Sequence, residues 1–305
     1  MSNYGSLRPY IPWQERALPL DWEAEFGRKA PLKVELGFGN GDYLVRCAQA
    51  DPDANYIGIE MTWGCVMRAL RKSRRADIPN LRFMLEDARL ALQWTFQERT
   101  VESFTGLFPC PWPKKRHAKN RLFSPSFLSL CNSRLVDGGA LVVVTDAAVY
   151  RDQMLEEITV EETGMSTGLE VIPASFGTKY ERKWQAEGQQ EFYRLTFTKV
   201  EHRHHPFPEI IEVKHHLAPE FHAATFAPQS EKEPHNVTFK AFLYDAEREI
   251  AMQEVVTHED SVDQHFWVRL KKTERGWKIA PAAGNTPLPL PSVQRALDLI
   301  FQACS

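Results

Sequence analysis

Apolar and polar residues are unevenly spread along the chain. From residue 32 to 199, short apolar runs alternate with stretches whose apolar residues return every three or four positions. LKVELGFGNGDYLVRCAQADPD holds a strand, a glycine turn and a helix. NYIGIEM, NLRFMLEDA and SFTGLFP read as the second to fourth strands, and DGGALVVVTDA as a fifth. TWGCVMRALRKSRRADI puts Cys65, Val66, Ala69 and Leu70 on one helical face and basic residues on the other. RLFSPSFLSLCNSRL is helical after its proline, AVYRDQMLEEITVEE is a further helix, and LEVIPAS and FYRLTFTKV are late strands. Strands alternating with helices predict a doubly wound α/β fold whose parallel sheet is covered on both faces.

The pattern changes at both ends. Residues 1–30, with Trp13 and Trp22, read as an arm before the fold. Near residue 200, EHRHHPFPE reads as a His/Pro linker. Beyond it NVTFKAFLYD, AMQEVVTHED and HFWVRLKKTERGWKIAP predict strands, and SVQRALDLIFQAC an amphipathic helix opened by Ser292. The expected organisation is a first domain over 1–200 and a smaller, β-rich C-terminal unit over 201–305.

Charge refines this division. The chain has 37 basic and 40 acidic residues, a net −3, so any affinity for nucleic acid must reside in local patches. Residues 1–200 hold 26 basic and 25 acidic residues, and residues 201–305 hold 11 and 15. The second unit is the acidic one. The five cysteines, Cys47, Cys65, Cys110, Cys131 and Cys304, are widely spaced and form no Cys-x-x-Cys pair. That pattern fits neither a disulfide framework nor a zinc site. With no signal-like start and no apolar run of membrane-spanning length, the expectation is a cytoplasmic protein without a membrane partner.

The glycine turn carries the first chemistry. Gly37, Gly39 and Gly41 form G-x-G-x-G after a strand, which is neither the dinucleotide fingerprint G-x-G-x-x-G nor a phosphate-binding loop. Glu35, two residues before the first glycine, repels a pyrophosphate and attracts an ammonium or sulfonium. Glu60 ends the second strand, where a carboxylate takes ribose hydroxyls, and Asp87 ends the third, within reach of an adenine amino group. Together they fit S-adenosyl-L-methionine.

The second chemistry lies in LFPCPWPKKRHAKNR, at the rim of the same crevice. Lys114, Lys115, Arg116, His117, Lys119 and Arg121 form a basic run beside the helix bearing Arg68, Arg71, Lys72, Arg74 and Arg75. Cations facing one way bind phosphates. Trp112 is read equally as a base-stacking residue and as a loop anchor.

VELGFGNGDYL, GIEM, EDA, FPCPWPKKRHAKNR, VTDAAVY and FGTKYERK occur in an order that resembles the bacterial tRNA (guanine-N7-)-methyltransferases, over roughly residues 32–199. The resemblance implies a Rossmann-like S-adenosylmethionine-dependent methyltransferase acting on the variable-loop guanosine of tRNA, position 46. It places Glu35, Glu60 and Asp87 on the cofactor. It places Lys114, Asp146 and Thr178, Lys179, Tyr180 and Glu181 on the guanosine, with Asp146 and Glu181 as candidate catalytic groups. Lys115, Arg116, Lys119 and Arg121 are the expected contacts to the tRNA backbone. The expected assembly is a monomer or homodimer without a metal.

Cys110 departs from the family pattern, which is similar to Pro-Asp-Pro-Trp with the aspartate catalytic or on the cofactor. Guanine N7 has an in-plane lone pair and needs no general base, so alignment is the main requirement. Two other readings stand beside transfer to N7. One is a catalytically impaired protein that binds tRNA and cofactor. The other is a cytosine-C5 methyltransferase using Cys110 as nucleophile. The remaining candidates read as structural. Cys47, Cys65 and Cys131 are expected in the core. His202, His204, His205, His215, His216 and His222 lie in or near a Pro-rich linker without a supporting carboxylate.

Overall fold

The computed structural model describes residues 9–259, 262–284 and 286–304. The start of the predicted arm, residues 1–8, lies outside them. The chain divides into two compact units, Met1–Phe207 and Pro208–Ser305.

The first unit is built on seven strands: β1 Leu32–Leu36, β2 Asn55–Glu60, β3 Leu81–Leu85, β4 Val101–Leu107, β5 Leu135–Thr145, β6 Met165–Pro173 and β7 Glu191–Lys199. Its helices are α1 Trp22–Phe26, α2 Asp42–Ala50, α3 Trp63–Ala76, α4 Ala88–Thr95, α5 Pro125–Arg134, α6 Ala148–Glu157, α7 Val160–Thr163 and α8 Lys179–Ala186. The strand order is 3-2-1-4-5-7-6. β1 and β2 are buried along nearly their whole length, which is why they read as continuous apolar runs. α3 buries Val66, Ala69, Leu70 and Ser73 and turns most of its basic side chains outward. α5 starts where its sequence signals: Ser124 accepts from the Phe127 N–H and Pro125 occupies the first turn.

The sheet departs from the all-parallel expectation at its end. β7 runs antiparallel to both β5 and β6 and fills the space between them. Alternation of strand and helix announces a crossover but not the direction of a strand inserted later. The arm also contributes to the sheet. Ile11 donates to Phe83 O at 2.9 Å, the Phe83 N–H donates to Pro9 O at 2.7 Å, and Ile11 and Trp13 are buried. The exposed edge of β3 is thereby covered.

The second unit is a five-stranded antiparallel sheet in the order β8-β12-β11-β10-β9. Its strands are β8 His216–Ala218, β9 Asn236–Asp245, β10 Ile250–Glu259, β11 Val262–Thr273 and β12 Gly276–Pro281. α9, Pro291–Gln302, packs Val293, Leu297 and Ile300 on one face of this sheet, against Val255, Phe266, Val268 and Ile279. Ser292 does not open this helix. Leu290 is the N-cap and Pro291 the first helical residue. Ser292 lies inside the first turn, its N–H donating to Glu259 Oε2 at 2.7 Å.

Candidate active site

The carboxyl ends of β1 to β4 meet where the strand order reverses, the place where open α/β sheets hold ligands. A cleft of ≈ 690 Å³ opens there. Gly37 and Gly39 have φ of 71° and 54°, left-handed values that favour glycine, and a Cβ on either would meet only open space. Gly41 has a different task. Its Cβ would lie 2.7 Å from Ala69 Cβ, so the missing side chain lets α2 close on α3.

Glu35, Glu60 and Asp87 are among the carboxylates that line this end of the cleft. Glu60 accepts from the Gly39 N–H at 2.9 Å and the Thr62 N–H at 3.0 Å, locking the glycine loop to the end of β2. Asp87 stands two residues past β3 as the N-cap of α4, accepting from the Arg89 N–H at 2.7 Å. Glu35 is buried, and one of its carboxylate oxygens has no hydrogen-bond partner. Burial holds its pKa well above the ordinary carboxylate range, and the negative Glu60 adds to this. An orphaned buried carboxylate is costly unless a cation meets it. The ammonium of an amino-acid moiety fits that need. A ribose fits Glu60, whose oxygens retain acceptor capacity, and an adenine amino group fits Asp87. These residues therefore suit S-adenosylmethionine.

The opposite wall comes from the loop after β4. Phe108 and Trp112 have φ of 53° and 42°, strained values for bulky side chains. Arg121 holds this loop from behind. Its guanidinium donates to Pro111 O at 2.7 Å and Trp112 O at 3.2 Å and lies 5.2 Å from the Tyr150 ring centroid. This corrects the expectation of Arg121 as a backbone-phosphate contact, because it is 7% exposed and its donors are directed inward. Cys110 is exposed and lines the cleft, as does Lys119. Trp112 lines it too, packed edge-on against His117. Arg116 is exposed and donates to His117, while the Lys115 side chain lies outside the described residues. Lys114 is exposed at the start of the short 3-10 turn Lys115–Asn120.

The third wall is the Thr-Lys-Tyr-Glu segment. Thr178, Lys179 and Tyr180 line the cleft. Glu181 is 2% exposed and turned away from it, accepting from the N–H groups of Ser175 at 2.6 Å, Phe176 at 2.9 Å and Gly177. Thr178 caps α8 by accepting from the Glu181 N–H at 3.1 Å. Arg46 of α2 donates to Phe176 O, so the loop is tied to the glycine-turn helix. Asp146, just past β5, is half-buried; burial raises its pKa and Lys183 opposes the rise.

The fold adds cleft residues that periodicity hid. Cys65 lines the cleft instead of joining the core, and Arg68 beside it donates to Cys65 Sγ and Asn40. Glu86, whose pKa burial raises, lines the cleft next to Asp87. Cys131 is buried, and Cys47 packs beside the core of α2 and α3.

The linker histidines have the supporting carboxylate that the sequence reading did not find. Glu98 accepts from the His205 N–H at 2.7 Å and lies 3.1 Å from both His202 Nε2 and His204 Nδ1. These three side chains are close enough together to hold a metal ion. Yet Lys199 Nζ faces His202 Nδ1 at 3.0 Å and donates to Leu135 O at 2.6 Å. Both ring nitrogens of His202 are thus engaged within the protein, by Lys199 and by Glu98. The cluster fastens residues 202–205 within the first unit.

Residues 29–194 match the model of a protein family described as "Putative methyltransferase". The chain is 28% identical over 293 residues to the tRNA (guanine-N(7)-)-methyltransferase of Thermotoga maritima, covering 92% of each, so this likeness runs into the second unit. It is 34% identical to the protein of the same name from Chlorobium phaeobacteroides, over 56% of this chain and 83% of that one. The Listeria monocytogenes counterpart is 36% identical over 57% and 83%. Among solved structures, the antibiotic-resistance methyltransferase Kmr is similar at 21% identity and a TM-score of 0.43, over 59% of this chain and 92% of that one.

Proposed function

The chain belongs to the bacterial tRNA (guanine-N7-)-methyltransferase family, and from that membership we propose that it transfers a methyl group from S-adenosylmethionine to N7 of the variable-loop guanosine of tRNA. Among the described residues, no helix is long and apolar enough to cross a membrane. The proposed catalytic part is residues 1–200, working in the cytoplasm as a monomer or homodimer. The observation that carries the reading is the buried, partnerless Glu35 oxygen in a cleft at the switch point of the sheet.

S-adenosylmethionine supplies a methyl group made electrophilic by its sulfonium. Glu35 would hold its ammonium, Glu60 its ribose hydroxyls and Asp87 its adenine amino group. When bound, the cofactor would give its methyl to the N7 lone pair, leaving a neutral thioether and a positively charged base. No proton leaves, so the chain's residues align and stabilise and need not abstract. Lys114 and the Thr178–Tyr180 wall position the guanosine, and Asp146 offsets the charge that develops on it. Glu181 acts through the backbone of residues 175–177, by shaping that wall. Lys119 and Arg116 meet phosphates at the rim.

Nucleoside mass spectrometry of unmodified tRNA incubated with the protein and cofactor tests this. The expected product is 7-methylguanosine, mapped to the variable loop. The exposed thiol of Cys110 in the cleft favours one second reading, a protein that binds tRNA and cofactor without turnover. Binding without any 7-methylguanosine establishes it. A covalent adduct with 5-fluorocytosine RNA instead identifies a cytosine-C5 enzyme.

A further inference from the structure

The second unit is acidic as a whole, yet half of its basic residues are gathered in one place. Residues 208–305 hold ten lysines and arginines against fourteen acids, and five of the ten lie within RLKKTERGWK, residues 269–278, with one glutamate. This segment is the hairpin of β11 and β12, and its register sorts the charges. Phe266, Val268 and Leu270 face α9, so Arg269 and Lys271 point to the other side of the sheet. Lys278 is paired directly with Lys271, and Arg269 with Ala280, which puts Arg269, Lys271 and Lys278 on one open face. Lys272, by contrast, reaches the Trp277 ring on the covered side.

Like charges directly opposite each other across an antiparallel pair are destabilising. Several charged groups elsewhere in this unit are paired: Glu231 with Arg295, Asp298 with His216, Glu254 with His265, Asp263 with His258. Arg269, Lys271 and Lys278 have no ion-pair partner among the described residues, and both lysines are exposed. Beside them on the same face the pairing places Ile250 opposite Lys271 and Met252 opposite Arg269, and the acid on that face of β10, Glu254, is engaged by His265 and the Ala241 N–H. Three cations gathered on one open face, two of them directly opposite each other, give a surface suited to a polyanion.

We infer that this open face of the C-terminal sheet is a second RNA-binding surface, on which Arg269, Lys271 and Lys278 contact tRNA phosphates away from the methylated base. The inference rests on tRNA being the substrate. The three cations on neighbouring strands follow a sugar-phosphate backbone without reading its sequence, so the surface adds affinity and leaves the chemistry alone.

The test uses the full chain with all three residues replaced, Arg269→Gln, Lys271→Gln and Lys278→Gln. Direct binding of unmodified tRNA is measured from low to physiological salt, and turnover in parallel. The expected result is a Kd raised about tenfold or more at low salt, with the slope of log affinity against log salt reduced by roughly 2–3. The KM for tRNA rises with it, while kcat and the KM for cofactor stay unchanged. A Lys214→Gln/Lys232→Gln variant, which removes cations elsewhere in the unit, should leave the slope near the parent value. An unchanged Kd and slope in the triple variant overturn the inference, and so does an equal loss in the control pair. Weakened binding of an acidic peptide with tRNA binding intact would assign the face to protein instead. Failure of the parent chain to form 7-methylguanosine would overturn the proposed reaction, a result the binding measurement reads separately.

Discussion

The two units treat some of their carboxylates in opposite ways. In the first, Glu35, Glu86 and Asp146 are drawn into the protein around the strand ends, and burial raises the pKa of each. In the second, Glu231 and Glu254 stay at the surface; the Arg295 side chain lowers the pKa of Glu231, and the Ala241 N–H followed by His265 lowers that of Glu254. Solvated, paired charges add little to stability and impose nothing on a ligand. Stranded charges cost stability, and they are tolerated where a ligand meets them. The contrast separates a unit with buried carboxylates around its strand ends from one whose perturbed carboxylates are paired at the surface.

The most forceful way to break the comparison is Glu35→Gln. Removing the partner of a buried ammonium costs about 2–5 kcal/mol, so cofactor affinity should fall on the order of 10²- to 10³-fold in calorimetry. The ligand-free protein should melt no lower than the parent, because the charged form is what burial penalises. Unchanged cofactor affinity would remove Glu35 from the site. The same residue fixes a pH dependence. Its folded pKa is raised, so its contribution to the stability of the ligand-free protein is full below the unfolded pKa and lost as pH rises through the folded value. An ammonium ligand requires the ionised form, so cofactor affinity should increase with pH over that window. Proton release on binding, read by calorimetry in two buffers, should vanish in Glu35→Gln.

Cys110→Asp should act next most strongly, and in the opposite direction. It restores a carboxylate at the mouth of the cleft, where one electrostatic contact is worth about 10²-fold in turnover. Methylation rates of the two proteins decide it, and equal rates would show that positioning alone suffices at this site.

Glu181→Gln tests whether the third wall is held from behind. Hydrogen bonds to a charged acceptor are worth about 1.5–3 kcal/mol, and Glu181 receives three from adjacent N–H groups. The amide should loosen residues 174–178, raising their hydrogen exchange, and lower kcat/KM about tenfold. A fall in kcat with exchange unchanged would mean that Glu181 touches the guanosine itself.

Much of the first unit was legible because its strands are buried on both faces, and continuous apolar runs with glycine punctuation survive any tertiary context. The cleft positions of Glu35 and Glu60 were legible too, since each carboxylate lies inside or at the end of an apolar strand that leads to the glycine turn or the strand beside it. Cys65 and Arg68 were not. Helical spacing assigned Cys65 to the core face, whereas the first turn of α3 lies at the cleft mouth. Arg121 and Glu181 read as surface contacts because a charged residue in a polar segment usually is one. Only the positions of backbone groups at Pro111 and Trp112, and at residues 175–177, turn both inward. Glu98 lies 104 residues from His202 in the chain, and no local pattern links them.

The smallest expected effect concerns the one place where the second unit resembles the first. Lys271 and Lys278 repel across the β11–β12 pair with no described acid to offset them. In Lys278→Glu the same register creates an opposite-charge pair. Such pairs are worth a few tenths of a kcal/mol to about 1, less when exposed, so the transition that includes this unit should move up by about 1–4 °C in calorimetry of the full chain. The gain should shrink at high salt, because both groups are exposed. If these lysines serve a polyanion, the stabilised variant must bind tRNA more weakly than Lys278→Gln, since it adds repulsion to the loss of a contact. Stability and affinity moving in opposite directions would place this hairpin with Glu35, as a charge kept at a cost to folding. Their moving together would leave Lys271 and Lys278 as ordinary solvated cations.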